Sequence, residues 1–206
     1  MKNTLLILIA FLSMNSFAQS NNEQQTLFGS DKRSIRAYIA LNHKAITLNN
    51  QIGLLAGGEL SLVFNHKLNF GIFGYGMYND IQSNYIDNYN YSYFFEYGSG
   101  GFKIEPVFLS NSVIHFTIPI EVGIGGISLN RNRFYHNDYD WDSNYNSYDI
   151  FGFVEPGIKA EVNLFRNLRF SSGIGYQFTD VINLANTDNY PLNGWTVNAG
   201  LKFGWF

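Results

Sequence analysis

The sequence predicts an all-β protein, an eight-stranded up-and-down antiparallel transmembrane β-barrel with short periplasmic turns and long outer loops. Three observations lead to this prediction. From residue 34 onward, apolar side chains recur at every second position, which is the period of a strand and not of a helix. Charged residues make up 14% of the chain and aromatic residues 17%, whereas soluble domains contain about 25% charged residues. No stretch after residue 18 approaches the roughly 20 consecutive apolar residues of a membrane helix.

The first residues have the pattern of an export signal. Lys2 supplies a positive charge, Leu5 to Leu12 form a short apolar segment, and small residues at Ser16 and Ala18 suit a signal peptidase. We therefore predict a signal peptide over 1–18, a flexible periplasmic lead-in over 19–33 and the barrel over 34–206. Since the chain has no Cys, disulfide bonds and thiolate zinc sites are excluded. A net charge of -3 gives no electrostatic footprint for nucleic acid.

The alternation is clearest over 114–124, where even positions are apolar and odd positions are polar or small. Eight alternating segments are predicted to be strands, at 34–43, 54–64, 68–78, 94–109, 113–129, 148–164, 168–178 and 194–206. Tight turns are predicted at 65–67, 110–112 and 166–167, and longer loops at about 44–53, 79–93, 130–147 and 179–193. Short connections on one side and long ones on the other are typical of outer-membrane barrels, with the long loops facing outward.

Gly125 and Gly126 mark an apparent change in the alternation. Ile127 and Leu129, which follow them, are apolar residues at odd-numbered positions, whereas the odd-numbered positions before the two glycines are polar or small. An extra residue in one strand would produce such a change, so the sequence predicts a β-bulge at this pair.

Charge and glycine content predict which face lies inside. Alternation alone also fits a soluble, lipocalin-like barrel with its apolar face inward. The polar face, however, carries five charges of each sign, as buried charges require: Arg36, Lys103, Lys159, Arg169 and Lys202 against Glu59, Glu105, Glu121, Glu155 and Glu161. Small residues suit a narrow interior, and this face is rich in them: Gly57, Gly101, Gly123, Gly157, Gly173, Gly175 and Gly200. We therefore predict a plugged, polar lumen and a lipid-facing apolar surface.

Several strand and turn motifs extend through the chain: Thr26-Leu27-Phe28-Gly29, Gly57-Gly58-Glu59, Phe73-Gly74-Tyr75-Gly76, Glu155-Pro156-Gly157 and the ending Gly200-Leu201-Lys202-Phe203-Gly204-Trp205-Phe206. Together they resemble a family of uncharacterised outer-membrane β-barrel proteins from Bacteroidota-type bacteria. The resemblance implies a fold and a location in the outer membrane, and it supplies no catalytic residue. A terminal aromatic is typical of such barrels, although Phe206 is out of phase with the apolar set that ends at Trp205.

The third long loop contains a candidate calcium motif. Asp138, Asp140 and Asp142 have the spacing of calcium ligands, and Asp149 stands at the twelfth position counted from Asp138. Against this, Ser143 occupies the position where Gly is needed, and strands replace the usual flanking helices. We interpret the loop as an acidic, solvated segment, so no metal or cofactor is predicted.

The histidines give no strong catalytic pattern. His43 and His136 fall in or near different long loops, His66 falls in a tight turn, and His115 faces inward. A hydrolase would need a nucleophile, a base and an acid on rigid elements. His136, Ser143 and Asp138 all lie in one loop, so no catalytic residue is predicted.

Tyrosines crowd the predicted long loops among Asn and Ser residues, at Tyr85, Tyr89, Tyr91, Tyr93, Tyr139 and Tyr145. Tyr, Ser and Asn are common in adaptable binding surfaces, whereas an aromatic girdle at the membrane interface is the alternative favoured for Tyr93 and Phe94. We predict a non-enzymatic outer-membrane barrel that is envelope-structural or surface-binding. Its partners would be outer-membrane lipid and an extracellular protein or glycan. The alternatives are a barrel enzyme acting on lipid or peptide at the outer leaflet and a soluble ligand-carrying barrel.

Overall fold

The structure, a computed structural model, describes residues 34–48, 50–86, 92–130, 148–182 and 190–206. The predicted signal peptide and lead-in lie outside the described residues. Twelve strands are present in these ranges: β1 (Ile35–Leu48), β2 (Gln51–Phe64), β3 (Leu68–Met77), β4 (Ile81–Ile86), β5 (Ser92–Phe108), β6 (Ile114–Thr117), β7 (Ile120–Asn130), β8 (Tyr148–Phe165), β9 (Leu168–Thr179), β10 (Val181–Ile182), β11 (Tyr190–Pro191) and β12 (Gly194–Gly204). No helix among the described residues is long and apolar enough to cross a membrane.

These strands combine into eight antiparallel barrel strands, because several of them are parts of one longer strand. β3 and β4 form one interrupted strand, since both pair with β5. β6 and β7 form another, since both pair with β5 and β8 on either side of Ile118 and Pro119. β10 and β11 pair with each other beyond β9 and β12. The pairing of β1 with β12 then closes the sheet, with Tyr38 opposite Gly204. The predicted fold class is confirmed.

The apolar residues face outward and the charged residues face inward. Along β6 and β7 the even-numbered apolar side chains from Ile114 to Ile124 are 41–68% exposed, whereas His115 and Glu121 are at most 3% exposed. A soluble barrel would show the opposite arrangement, with its charges in water. The faces are therefore those of a transmembrane barrel, as the charge balance predicted.

The loop predicted at 44–53 is wrong. β1 continues to Leu48 and β2 begins at Gln51, and these two residues pair directly. Between them Asn50 has a φ of 56°, a left-handed conformation that Asn tolerates better than most residues. The strands beside the other predicted long loops also extend further, to Ile86 and Ile182. The connections that remain, 87–91, 131–147 and 183–189, lie outside the described residues.

The short connections that follow β2, β5 and β8 lie at the opposite end of the barrel, which we call the turn end; the end that carries the three long connections is the loop end. At the turn end Asn65 and His66 both have positive φ, and the Lys67 amide donates to the Phe64 carbonyl at 3.0 Å. Two central residues with positive φ define a type I′ turn, whose twist matches that of the strands it joins. The predicted tight turn at 65–67 is confirmed.

The β-bulge predicted at Gly125 and Gly126 is also wrong. The register of β7 with β5 and β8 continues through both glycines without a shift. Ile127 and Leu129 keep the inward parity of Glu121 and are simply apolar residues inside the barrel, each at most 3% exposed. Register shifts are found elsewhere, between Gln82 and Ile86 and near the turn that ends β8.

These two glycines give a matched test of the assignment of faces. A Cβ on Gly125 would overlap the ring of Phe151, which is itself held by Tyr97 at 5.7 Å and Phe153 at 6.4 Å. A Cβ on Gly126 would meet only the Asp149 carbonyl, at 4.0 Å. We expect Gly125→Ala to lower the free energy of unfolding by about 1–3 kcal/mol through overpacking, and Gly126→Ala to change it by less than about 0.5 kcal/mol.

The measurement is the urea unfolding of both variants in detergent micelles, monitored by tryptophan fluorescence. If Gly126→Ala were the more destabilising change, the assignment of faces in β7 would be contradicted.

Candidate functional site

The barrel interior contains a band of charged side chains, which we call the ionic layer. Its members among the described residues are five carboxylates, five cations and one histidine: Glu59, Glu105, Glu121, Glu155, Glu161, Lys44, Lys103, Lys159, Lys202, Arg169 and His115. All except Arg169 are at most 7% exposed. Charges that are removed from water to this extent are tolerated only when they are paired.

The centre of the ionic layer is a chain of shared ion pairs. Lys103 contacts Glu59 and lies 2.8 Å from Glu105 Oε2. Glu105 Oε2 also accepts from Lys202 Nζ at 3.0 Å, and Lys202 in turn contacts Glu161. Because these residues belong to β2, β5, β8 and β12, the pairs connect strands on different sides of the barrel.

Neutral hydroxyls provide further partners for the buried carboxylates, and two examples lie at the centre of the ionic layer. The Tyr38 hydroxyl donates to Glu59 Oε1 at 2.5 Å, and the Thr117 hydroxyl donates to Glu105 Oε1 at 2.8 Å. Lys103 lies beside the same tyrosine, 3.3 Å from its oxygen. Buried polar groups that each have a partner stabilise one arrangement of the strands.

Lys44 corrects the prediction of the inward charges. Arg36 was predicted to point into the lumen, but it is exposed at the turn end, beyond the buried part of the barrel. Lys44, which was predicted to lie in a loop, takes the fifth place instead. Its Nζ lies 2.6 Å from Glu121 Oε2 and 3.0 Å from Glu155 Oε1. Among the described residues the predicted balance of five against five is therefore kept, with one member exchanged.

Above the ionic layer, toward the loop end, the interior is apolar and aromatic. We call this set the apolar layer: Ile46, Leu48, Leu55, Phe73, Tyr75, Met77, Ile81, Tyr93, Phe95, Tyr97, Ile127, Leu129, Phe151, Phe153 and Leu192. The two layers meet at Lys44, whose ammonium lies 4.4 Å from the centre of the Tyr75 ring, a cation–π distance. The inward-facing described side chains of this region are therefore mainly apolar and buried.

Tyr93 belongs to this apolar layer, so its prediction as part of a membrane-interface girdle is wrong. It is 4% exposed and points into the barrel, because β5 buries its odd-numbered residues at this end. Phe94 takes the alternate, outward parity and is half-buried. A signal was available in the sequence, since inward-parity positions in β1, β2 and β7 are also apolar near the loop end.

Phe206 closes the interior at the turn end. Its ring packs on Tyr38 at 5.5 Å, and the Arg169 guanidinium lies 3.8 Å from its centre. Arg36 donates to its main-chain oxygen. The departure of Phe206 from the apolar phase therefore has a structural reason: Trp205 is exposed on the outer face, while Phe206 turns inward beneath the ionic layer.

Most of the predicted loop candidates lie outside the described residues: His136, Asp138, Tyr139, Asp140, Asp142, Ser143, Tyr145, Tyr89 and Tyr91. Tyr85 has its backbone in β4. Asp149 lies at the start of β8, where its Oδ1 accepts from the Ile150 amide at 2.8 Å. Within the described part of the chain, no three His, Asp or Glu side chains are grouped so that they could hold a metal ion.

The sequence predicted that the histidines do not form a set, and the three described histidines indeed do not come together. His43 is on the outer face, with its ring 6.0 Å from that of Tyr78. His66 is in the turn between β2 and β3, and His115 is buried against Glu161, 3.0 Å from its Oε2. Their positions on three different surfaces exclude a common catalytic role for these three.

Comparison with known proteins supports the fold class. Neisserial surface protein A matches 84% of this chain and 99% of its own length with a TM-score of 0.51 and 14% identity. Ail, the attachment invasion locus protein of Yersinia pestis, matches 83% of this chain and 97% of its own length, with a TM-score of 0.42 and 12% identity. At such low identity the likeness concerns the fold alone, that of the outer-membrane β-barrels. No protein-family model and no curated sequence matches the chain.

Removal of one cation from the ionic layer should destabilise the barrel strongly. Lys103→Met keeps the length of the side chain but leaves Glu59 and Glu105 buried with one positive charge fewer. Breaking a buried pair in this way costs about 3–5 kcal/mol. The control is Lys67→Met in the exposed turn, which should change the free energy of unfolding by less than about 0.5 kcal/mol. Equal urea midpoints for the two variants in micelles would contradict the pairing described above.

Proposed function

We propose that this protein is a non-enzymatic barrel of the outer membrane that holds surface-binding loops on a rigid, filled mount. One observation carries the proposal: the interior is occupied from the turn end to the loop end by paired charges, buried aromatic rings and aliphatic side chains. An interior of this kind resists deformation, and loops on a rigid scaffold commonly carry function.

The membrane location is supported by the surface of the barrel. Large apolar side chains on every barrel strand face outward, including Leu41, Ile72, Phe102 and Ile158, each more than half exposed. In water, a continuous surface of this kind would cause aggregation, whereas a lipid bilayer solvates it. The fold and the motif resemblance favour the outer membrane, and kinship with barrels of Bacteroidota-type bacteria is part of the same proposal.

The loops are proposed to bind an extracellular protein or a glycan. The segments 87–91, 131–147 and 183–189 contain Tyr, Asn, Ser and Asp in high proportion. Tyrosine offers a large contact area with little loss of conformational entropy, and Asn and Ser add adaptable hydrogen bonds. A barrel enzyme acting on outer-leaflet lipid or peptide is the alternative, and its candidate residues would be His136, Ser143 and Asp138.

The two proposals predict different effects of changes in the third long loop. Replacement of 131–147 by a short Gly/Ser turn should leave the barrel folded and heat-modifiable on gels, because the strand pairings and ion pairs of the described barrel are made by residues outside this segment. Cells that produce the altered protein should no longer be retained on immobilised polysaccharides or extracellular proteins that retain cells with the unaltered protein. His136→Ala, as the matched single change, should leave retention unchanged to within about twofold, since one rim contact seldom dominates a binding surface.

The same cells are assayed for turnover of labelled lipid and peptide. If His136→Ala removed a turnover that the unaltered protein shows, the non-enzymatic proposal would be wrong. If cells with the loop replacement were retained as well as cells with the unaltered protein on every surface tested, the third long loop would not be the binding surface.

A further inference from the structure

A cleft of about 570 Å³ lies at the turn end of the barrel. Its walls come from β1, β2, the turn between β8 and β9, and the end of the chain. The residues that matter for its chemistry are Ile35, Arg36, Leu62, Arg166, Asn167 and Trp205. Two guanidinium groups therefore share one cleft with three exposed apolar side chains, 44–68% exposed.

The position of Arg36 is fixed by the fold. Its Nε donates to the Ser34 hydroxyl at 3.1 Å, and its Nη1 donates to the main-chain oxygen of Phe206. On the other side of the chain end, the Asn167 carbonyl accepts from the Gly204 amide at 3.0 Å. This contact holds the turn that carries Arg166 beside Trp205. A planar guanidinium that is already oriented loses less entropy when it binds a phosphate through two hydrogen bonds.

Charge is distributed unequally between the two ends of the barrel. The described residues of the turn end carry Arg36, Lys67 and Arg166 and no Asp or Glu, over 34–37, 64–68, 108–114, 164–168 and 203–206. At the loop end the described residues outside the ionic layer include Asp80, Glu96, Asp149 and Asp180. Burial lowers the pKa of His66 in the adjacent turn, and the charge of Arg36 lowers it further.

We propose that this cleft binds one anionic phospholipid of the membrane leaflet at the turn end. Arg36 and Arg166 hold its phosphate, Trp205 lies at the level of the headgroup, and its acyl chains lie along Ile35 and Leu62. A zwitterionic headgroup would bring an ammonium group toward two cations, so an anionic headgroup is preferred. A free phosphate would make no use of the apolar wall. The proposal rests on the membrane location proposed above and is independent of what the loops bind.

The position of Trp205 allows a direct test. The chain has three tryptophans, and Trp141→Phe with Trp195→Phe leaves Trp205 as the single fluorophore. This protein is reconstituted in phosphatidylcholine vesicles that contain either brominated phosphatidylglycerol or brominated phosphatidylcholine at the same mole fraction. Quenching of Trp205 then reports which lipid occupies the cleft. Both lipids carry the phosphate, so the discrimination comes from the ammonium group of phosphatidylcholine, which the two guanidinium groups repel. We expect a preference of roughly tenfold for phosphatidylglycerol.

Arg36→Gln and Arg166→Gln should each reduce this preference several-fold, and the double variant should abolish it. Lys67→Gln is the matched control, because it removes a cation from the same end but outside the cleft, and it should keep the preference. Arg166 is exposed in a turn, so its variant tests the site even if Arg36→Gln loosens Phe206. Heat-modifiable migration on gels shows separately that each variant is inserted, and failure of the unaltered barrel to insert would refute the membrane location instead.

Three results would overturn the proposal. The first is equal quenching by the two lipids. The second is an equal loss of preference in Lys67→Gln, which would indicate a general surface potential. The third is displacement of the brominated lipid by glycerol phosphate added at a concentration equal to that of the brominated lipid, which would make a free phosphate the occupant.

Discussion

The pairing of charges inside a narrow barrel is the constraint on which the rest of this structure depends. Lys44 and Lys103 are buried in the interior of a protein whose outer face is apolar, so the carboxylates beside them are their main source of solvation. Those carboxylates stand on distant strands, and their positions therefore tie β1 to β7 and β5 to β2. The long charged side chains also need small neighbours. Gly173 lies directly against Lys159, and a Cβ on Gly175 would meet the carboxylate of Glu155.

The same constraint explains which parts of the fold the sequence could predict. Where the interior is ionic, the two faces differ sharply, and the inward residues were predicted correctly apart from Lys44. Toward the loop end the interior becomes apolar, so both faces are apolar and the contrast disappears. The false loop at 44–53, the false bulge at Gly125 and the outward assignment of Tyr93 all lie at this level. Each error follows from one change in the lining of the barrel, which is set by packing among distant strands.

The candidate sites show a similar division. The inward orientation of all five glutamates could be predicted from the alternation, because a carboxylate on the polar face of a membrane strand must point into the barrel rather than into lipid. The replacement of Arg36 by Lys44 among the inward charges could not be predicted from the alternation. The alternation shows which face a residue occupies, but not its height along the barrel axis. The turn-end cleft was also missed: Arg36, Arg166 and Trp205 are separated in sequence and meet because β12 pairs with β1 on one side and with β9 on the other.

Site-directed spin labelling tests the arrangement of faces most directly, and a chain without cysteine suits it. Single cysteines are placed at each position from Ile120 to Leu129, labelled and studied in lipid bilayers. Accessibility to dissolved oxygen, which concentrates in lipid, should be high at every even position and low at every odd one. The alternation should continue through Gly125 and Gly126 without a change of phase. High oxygen accessibility at Ile127 and Leu129 would contradict the apolar layer, and with it the account of the interior given above.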